Sequence, residues 1–431
     1  MIHKISLIFT CILFSIHTFS QDSLSLEHAI ELALENNFSI RISKNSETIA
    51  SINNNWGNTG GIPMLTFTST ANHVNHDAID KTPNNNDNTQ KRFSNEIALQ
   101  WTLFDGFSAV ITKEKLEYLE QISKGNVQTL IEGTIFSTIQ AYHSVLVQKH
   151  AIKSIEEIQT VSRERYDYQK KLQDLGVATT FEVLQAQNAW LEDTAQYVKQ
   201  VAQYNTAIRN LKFIIADSTQ TKYLFPDTFE PKIISFDREE LKRKIPTQNT
   251  HVQNKYLQLE VKKQELKLSQ SDMYPTIQAR AGGTYNMNNT EYSNNTTESD
   301  NQQLFASISL NYNIYAAGTR KRAIQIRSIE KHSTELELQE MIFELENQIV
   351  QEYELYESRK IVYNLAQKNQ KTAALQFELA QKRFDAGSIS SFDFRTTQSQ
   401  YLRASIQLIE AKYNCIISET NIFKLTGEII N

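Results

Sequence analysis

One spacing recurs along the chain and constrains its fold more than any other feature. Gln140, Tyr142, Gly176, Phe181 and Gln187 are answered by Gln351, Tyr353, Gly387, Phe392 and Gln398, each 211 residues further on. Upstream, Leu99 and Phe104 match Leu310 and Tyr315 at 211, while Pro63 and Gly106 match Pro275 and Gly318 at 212. Solenoid units repeat every ~20 to 50 residues, so a period of this length makes each copy one structural half. The halves are 21–216 and 247–431. Between them lies 217–246, where Pro226, Pro231 and Pro246 indicate an irregular connector.

Each half carries two segments that alternate with the period of a two-faced strand. Ile97, Leu99, Trp101 and Leu103 alternate with Glu96, Ala98, Gln100 and Thr102, and Leu65 and Phe67 alternate with Thr66, Thr68 and Thr70. The second half repeats this with Ile277, Ala279 and Ala281, then Leu304, Ala306, Ile308 and Leu310. The pattern predicts β-hairpins at 62–104 and 275–315, with strands of about ten residues, the length of a tilted strand across a bilayer. The Asn-, Asp- and Thr-rich stretches 72–91 and 286–301 read as exposed hairpin loops.

The remainder is helical. Residues 110–175 contain no proline and place Ile131, Ile135, Ile139, Tyr142 and Leu146 at spacings of three and four. A helix of that length spans about 100 Å. Its partner is 320–386. Shorter helices are expected at 180–216 and 391–426, and others near 39–55 and 248–271. The chain turns back at Gly176 and Gly387, so the two shorter helices of a half lie end to end beside the long one.

The first twenty residues read as a secretory signal peptide: Lys4 opens it, 5–14 is apolar, 15–20 is small and polar, and the mature chain starts at Gln21. No later stretch approaches eighteen consecutive apolar residues, so no transmembrane helix is expected. Cys11 falls within the signal. Cys415 is then the only cysteine, which excludes an internal disulfide and a cysteine-based metal site. The balance of 44 Lys and Arg against 49 Asp and Glu gives no basic footprint for nucleic acid. His73 and His76 have no third ligand nearby, and no nucleophile elbow, phosphate loop or zinc spacing occurs. Neither an enzyme nor a cofactor is expected.

Four membrane-length strands do not close a barrel, since the smallest closed outer-membrane barrels have about eight. Open edges have no water to satisfy them in lipid, so the chain must oligomerise. Two copies would give eight strands and a filled interior, whereas three would give twelve and begin to leave a lumen. A coiled-coil scaffold confined to the periplasm would account for the helices, but not for the four alternating segments.

This duplicated order, with WTLFDG at 101–106, YAAG at 315–318 and LGVATTFEVL at 175–184, resembles the TolC family of outer-membrane factors. The resemblance covers nearly all of the mature chain. It implies a mainly α protein with a membrane β-barrel: a homotrimer with a twelve-stranded barrel among outer-membrane lipid and a long helical tunnel in the periplasm. It also implies docking on a periplasmic adaptor, or membrane fusion protein, fed by an inner-membrane transporter of RND or ABC type, for efflux or type I secretion. The family's helix start often carries Asn-Pro; here the matching stretch reads Asn36, Asn37, Phe38, and the second half offers Ile245, Pro246.

The same resemblance assigns the site residues. The family lines the narrow periplasmic end of its tunnel with carboxylates six and nine positions after the turn glycine. Those positions are Glu182 and Gln185 after Gly176, and Asp393 and Thr396 after Gly387. Two carboxylates per chain would attract cations. Thr179 with Glu182, and Ser390 with Asp393, also have capping-box spacing, so a cap and a pore constriction are both open readings. The turns themselves, Leu175, Gly176, Val177 and Ala178, and Ala386, Gly387, Ser388 and Ile389, are assigned to adaptor docking. Their glycines are also expected for the backbone of the turn.

Overall fold

The computed structural model describes residues 23–77, 87–219, 221–292 and 295–430. The expected signal peptide, 1–20, and the centres of both expected hairpin loops lie outside these residues. In chain order the elements are α1 Leu26–Asn36, α2 Phe38–Asn53, β1 Met64–His76, β2 Asn88–Phe104, α3 Ser108–Asp174 and α4 Thr180–Ile214. The second half then gives α5 Arg238–Gln248, α6 Thr250–Ser271, β3 Thr276–Tyr292, β4 Asn295–Asn311, α7 Thr319–Asp385 and α8 Ser391–Thr426. No described helix is long and apolar enough to cross a membrane.

The chain divides into two compact units, and the long helices α3 and α7 each contribute to both. The first unit combines the stretch through Phe38 with Gly133–Ser235 and Glu352–Ile422. One of its cores joins Ala29 and Ala33 of α1 to Tyr142, Val145 and Leu146 of α3, Leu211 of α4, and Phe225 and Phe229 of the connector. The Tyr142 hydroxyl, fully buried, donates to the Leu24 carbonyl at 2.9 Å, satisfying a polar group that would otherwise be costly inside this core.

Residues 238–246, expected as part of an irregular connector, are helical. Asp237 caps α5 by accepting from the Glu239 and Glu240 N–H groups at 2.8 and 3.0 Å. Pro246 sits in the last turn of α5, where it forfeits one backbone bond instead of breaking the helix. Helices α1 and α5 have equal length and stand 212 residues apart, so the repeat reaches further into the connector than its prolines suggest.

The junctions after these helices repeat as well. Asn37 Nδ2 donates to the Ile214 carbonyl at 3.1 Å, and Asn249 Nδ2 donates to the Leu425 carbonyl at 2.9 Å. Each amide closes an orphan carbonyl near the end of the half's last helix. Asn249 Oδ1 also accepts from the Val252 N–H at 3.1 Å, which caps α6. The equivalent pair is therefore Asn37, within the stretch matched from sequence, and Asn249, which lies beyond the Ile245 and Pro246 matched in the second half. The amide is retained in both halves, and Phe38 and Thr250 follow it in place of a proline.

The second unit combines Ser39–Glu132, Phe236–Gln351 and Phe423–Asn431 and contains the sheet. Its order is β1-β2-β3-β4, antiparallel throughout, with β2–β3 joining the two halves through pairs such as Ile97↔Gly283 and Leu99↔Ala281. The strands run 13 to 17 residues, longer than the ten expected. Most of the Asn- and Thr-rich sequence read as loop is ladder: Asn72↔Arg92, Asn286↔Asn301 and Glu291↔Thr296 are paired. Polar side chains there mark where both faces of the sheet leave the apolar band, while backbone pairing continues.

The two faces differ in character. Leu65, Phe67, Ile97, Leu99, Trp101, Ala281, Leu304 and Ile308 share one face through their registered pairings. Thr66, Thr68, Thr70, Ser94, Gln100, Thr284 and Ser307 share the other. Leu304 and Ile308 are 89% and 75% exposed, so nothing within the protomer covers the apolar face. Among the described residues, β1 and β4 are paired on one side only.

Asn249→Ala removes one cap and one carbonyl partner at a site only 3% exposed, and is expected to destabilise by about 1–3 kcal/mol. Thermal unfolding of the variant beside Asn37→Ala, whose amide is less buried, checks this. The Asn249 substitution is expected to lower the melting temperature more.

Candidate functional site

The two helix-to-helix turns are built alike. Helix α3 ends in a Schellman motif: the Gly176 N–H donates to the Gln173 carbonyl at 2.8 Å and the Val177 N–H to the Leu172 carbonyl at 2.8 Å. At the end of α7 the Gly387 N–H donates to the Phe384 carbonyl at 2.9 Å and the Ser388 N–H to the Arg383 carbonyl at 2.8 Å. Gly176 and Gly387 hold φ of +77° and +69°, and no atom would obstruct an added Cβ at either, so glycine is required by backbone conformation alone.

Helices α4 and α8 then start at matched caps. In the first, the Glu182 N–H donates to Thr179 Oγ1 at 3.3 Å, and Glu182 Oε2 accepts from the Thr179 N–H at 2.8 Å and from its hydroxyl at 2.9 Å. This is a complete capping box. Those donors hold the Glu182 carboxyl below the usual carboxylate range, the backbone N–H contributing most. In the second, the Asp393 N–H donates to Ser390 Oγ at 3.1 Å and Asp393 Oδ2 accepts from the Ser390 hydroxyl at 2.6 Å. Both carboxylates are solvent-exposed, as are Gln185 and Thr396, and the Thr396 hydroxyl is occupied by the Phe392 carbonyl at 2.9 Å. The caps are therefore formed, and forming them leaves each charge open to solvent.

The turns differ in their surfaces. Phe181 and its counterpart Phe392 are both exposed, by 74% and 70%, but in the first turn Leu175 and Val177 are exposed as well, by 76% and 71%. In the second, Ile389 packs with Phe384 against a core of Ile158, Phe377, Ala380 and Phe394. Ser388 instead returns its hydroxyl to the Arg383 carbonyl at 2.9 Å. Sequence spacing, which pairs the turns position by position, does not convey this asymmetry.

Nor does it show what lies under the second turn. Arg395 of α8 grips Asp193 of α4 with both terminal nitrogens, at 2.6 and 2.8 Å. Asp193 is buried, and it also accepts a short hydrogen bond from the Ser162 hydroxyl of α3. Gln398 Nε2 donates to Ser162 Oγ at 3.1 Å and to the Ile158 carbonyl at 3.2 Å. Arg165 of α3 donates to the Ser391 carbonyl at 3.2 Å and lies over the rings of Phe384 and Phe394. Burial, with Arg395 nearby, pushes the Arg165 guanidinium down to about 10, which still leaves it charged at neutral pH. The network joins residues of both halves, including the pair Asp193 and Arg395, 202 positions apart, and Ala404 stands where the repeat would place a second Asp193. A pair of stacked aromatics does recur: Tyr166 on Trp190 at 5.5 Å and Phe377 on Tyr401 at 5.1 Å, both with planes 7° apart.

Among the described residues, no group of three or more His, Cys, Asp or Glu side chains could hold a metal ion. The family described as Outer membrane efflux protein matches residues 29–217 and 244–428, one match per half. No curated protein matches the sequence. Among solved structures, the CmeC outer membrane channel of Campylobacter jejuni aligns with a TM-score of 0.77 at 14% identity, covering 94% of this chain and 86% of that one. The MtrE outer membrane channel of Neisseria gonorrhoeae in its open state gives 0.71 at 14%, covering 94% and 89%. The outer membrane protein VceC of Vibrio cholerae gives 0.72 at 11%, covering 93% and 96%. At these identities the likeness is one of fold.

Arg395→Ala strands a carboxylate that is 2% exposed, and is expected to destabilise the helical unit by about 3–5 kcal/mol. Asp193→Ala in the same chain removes the stranded charge and is expected to restore much of that loss. A double-mutant cycle on thermal stability measures the coupling.

Proposed function

The chain belongs to the Outer membrane efflux protein family, whose members are outer-membrane channels with a large periplasmic helical portion, and from that premise we propose that three copies assemble one export duct. The observation that carries this reading is the sheet: four strands with one apolar, uncovered face and two unpaired edges. Pairing β4 of one copy with β1 of the next, three times over, closes twelve strands and leaves no edge in lipid. Twelve strands also leave a lumen, which eight would not. The polar face of Thr66, Thr68, Thr70, Ser94 and Thr284 then lines water, and the face of Leu65, Phe67, Leu304 and Ile308 meets the acyl chains.

In this reading Glu182 and Asp393 form a ring of six carboxylates at the periplasmic mouth, with Gln185 and Thr396 one helical turn further in. Their caps support the role, because a capped carboxylate keeps a fixed position while its charge stays exposed. The duct takes cargo from a periplasmic adaptor coupled to an inner-membrane pump of RND or ABC type, and docking falls to the turns 175–178 and 386–389. The exposed Leu175 and Val177 fit an apolar helical tip on the partner.

Two experiments test this reading. Glu182→Gln with Asp393→Asn is expected to lower cation preference and weaken block by multivalent cations in planar-bilayer recordings; unchanged selectivity with reduced thermal stability would leave the carboxylates as caps alone. Val177→Arg with Ser388→Arg keeps both turn glycines, and is expected to abolish transport and adaptor cross-linking while membrane insertion stays normal. Normal transport by that variant would exclude the turns as the contact.

A further inference from the structure

The water-facing side of the sheet is lined mostly by uncharged polar side chains, and a cluster at its middle departs from this. Glu96 on β2 and Arg280 on β3 form an ion pair across the Ala98↔Gly282 position. Phe305, opposite Gly282 on β4, lies beneath the Arg280 guanidinium, whose carbon is 5.1 Å from the ring centroid. Among the described residues of this face, the other aromatic rings are His76 and Tyr292 at the strand ends beside the hairpin loops, and the other Lys, Arg, Asp or Glu is Arg92.

The floor of the cluster explains its shape. Ala98 is 2% exposed and Gly282 has no side chain; a Cβ at Gly282 would come within 2.9 Å of Phe305 Cζ. The ring therefore lies down over Gly282, and Arg280 lies over the ring to reach Glu96. Arg280 nevertheless keeps 49% of its side-chain surface, so both charges remain open to the water beside the sheet. An exposed pair of this kind adds little stability, which makes its placement on the water-facing side the more telling feature.

We propose that Glu96, Arg280 and Phe305 form a charge-balanced belt inside the barrel that keeps its membrane section indifferent to the sign of the ions and cargo that pass. The proposal rests on the trimeric duct described above. Each copy contributes one carboxylate and one guanidinium at the same level, so the belt carries no net charge, and the flattened Phe305 keeps the passage wide. Cargo of either sign passes this level without a barrier, and charge selection is left to the carboxylates of the turns. Upsetting the balance installs three uncompensated charges of one sign in a confined lumen, where their effect on permeant ions is large.

The test uses planar-bilayer recordings of the full-length protein carrying Glu182→Gln and Asp393→Asn, so that the turn carboxylates do not mask the belt. Arg280→Gln is expected to raise the potassium-to-chloride permeability ratio by about twofold or more, and Glu96→Gln to lower it by a similar factor. The double substitution is expected to return the ratio to that of the parent. Unchanged ratios in both single variants, or shifts of the same sign, would overturn the proposal. Should either single variant fail to insert, Phe305→Cys treated with a bulky anionic thiol reagent decides the matter: stepwise current loss places the side chain in the lumen, and an unaltered current overturns the assignment. The buried Cys415 makes the parent protein the control for that reagent. A parent that forms no channel at all would refute the duct itself, a result distinct from these.

Discussion

A β-strand has two edges, and in hydrocarbon an edge has nowhere to place its backbone hydrogen bonds. Each unsatisfied group there costs several kcal/mol, and this protomer would present β1 and β4 along 13 and 17 residues. No packing of its own helices answers that demand, because the apolar face flanking those edges is also left bare. The sheet is complete only when another copy supplies the missing partners. From this one requirement follow the need for more than one copy and the separation of a lipid face from a water face.

The duplicated chain meets the requirement economically. Each half supplies a hairpin, and the pairing of β2 with β3 joins the halves into a single four-stranded piece. In each half the helix ends are closed by the same device, an asparagine amide on a late carbonyl of the last helix, at Asn37 and again at Asn249. The halves part company at their turns. The second is braced by Arg165, Phe384 and Phe394, and the first presents Leu175 and Val177 to solvent where the second has Ala386 and Ser388.

Much of this was legible in the sequence. Alternation at Ile97 to Leu103, long proline-free runs and paired glycines are local signals, so the strands, the long helices and both turns could be placed from them. The caps at Thr179 and Ser390 were visible for the same reason. What the sequence concealed was set by non-local partners. Asn72 to His76 and Asn286 to Tyr292 carry loop-like side chains, yet their backbones are held by strands opposite. Helix α5 hides behind Pro246 because the Asp237 cap and the first turn decide its existence before the proline is reached. Arg395 and Asp193 are unremarkable charges on two helices until the fold brings them together, and no periodicity marks either one.

The mass of the assembly extracted intact from outer membranes, measured by native mass spectrometry in a mild detergent, tests the central claim most directly. Edge closure around an open lumen predicts three copies of the mature chain as the stable particle. A stable monomer, with β1 and β4 left as free edges, or a stable dimer, with eight strands around a filled interior, would contradict it.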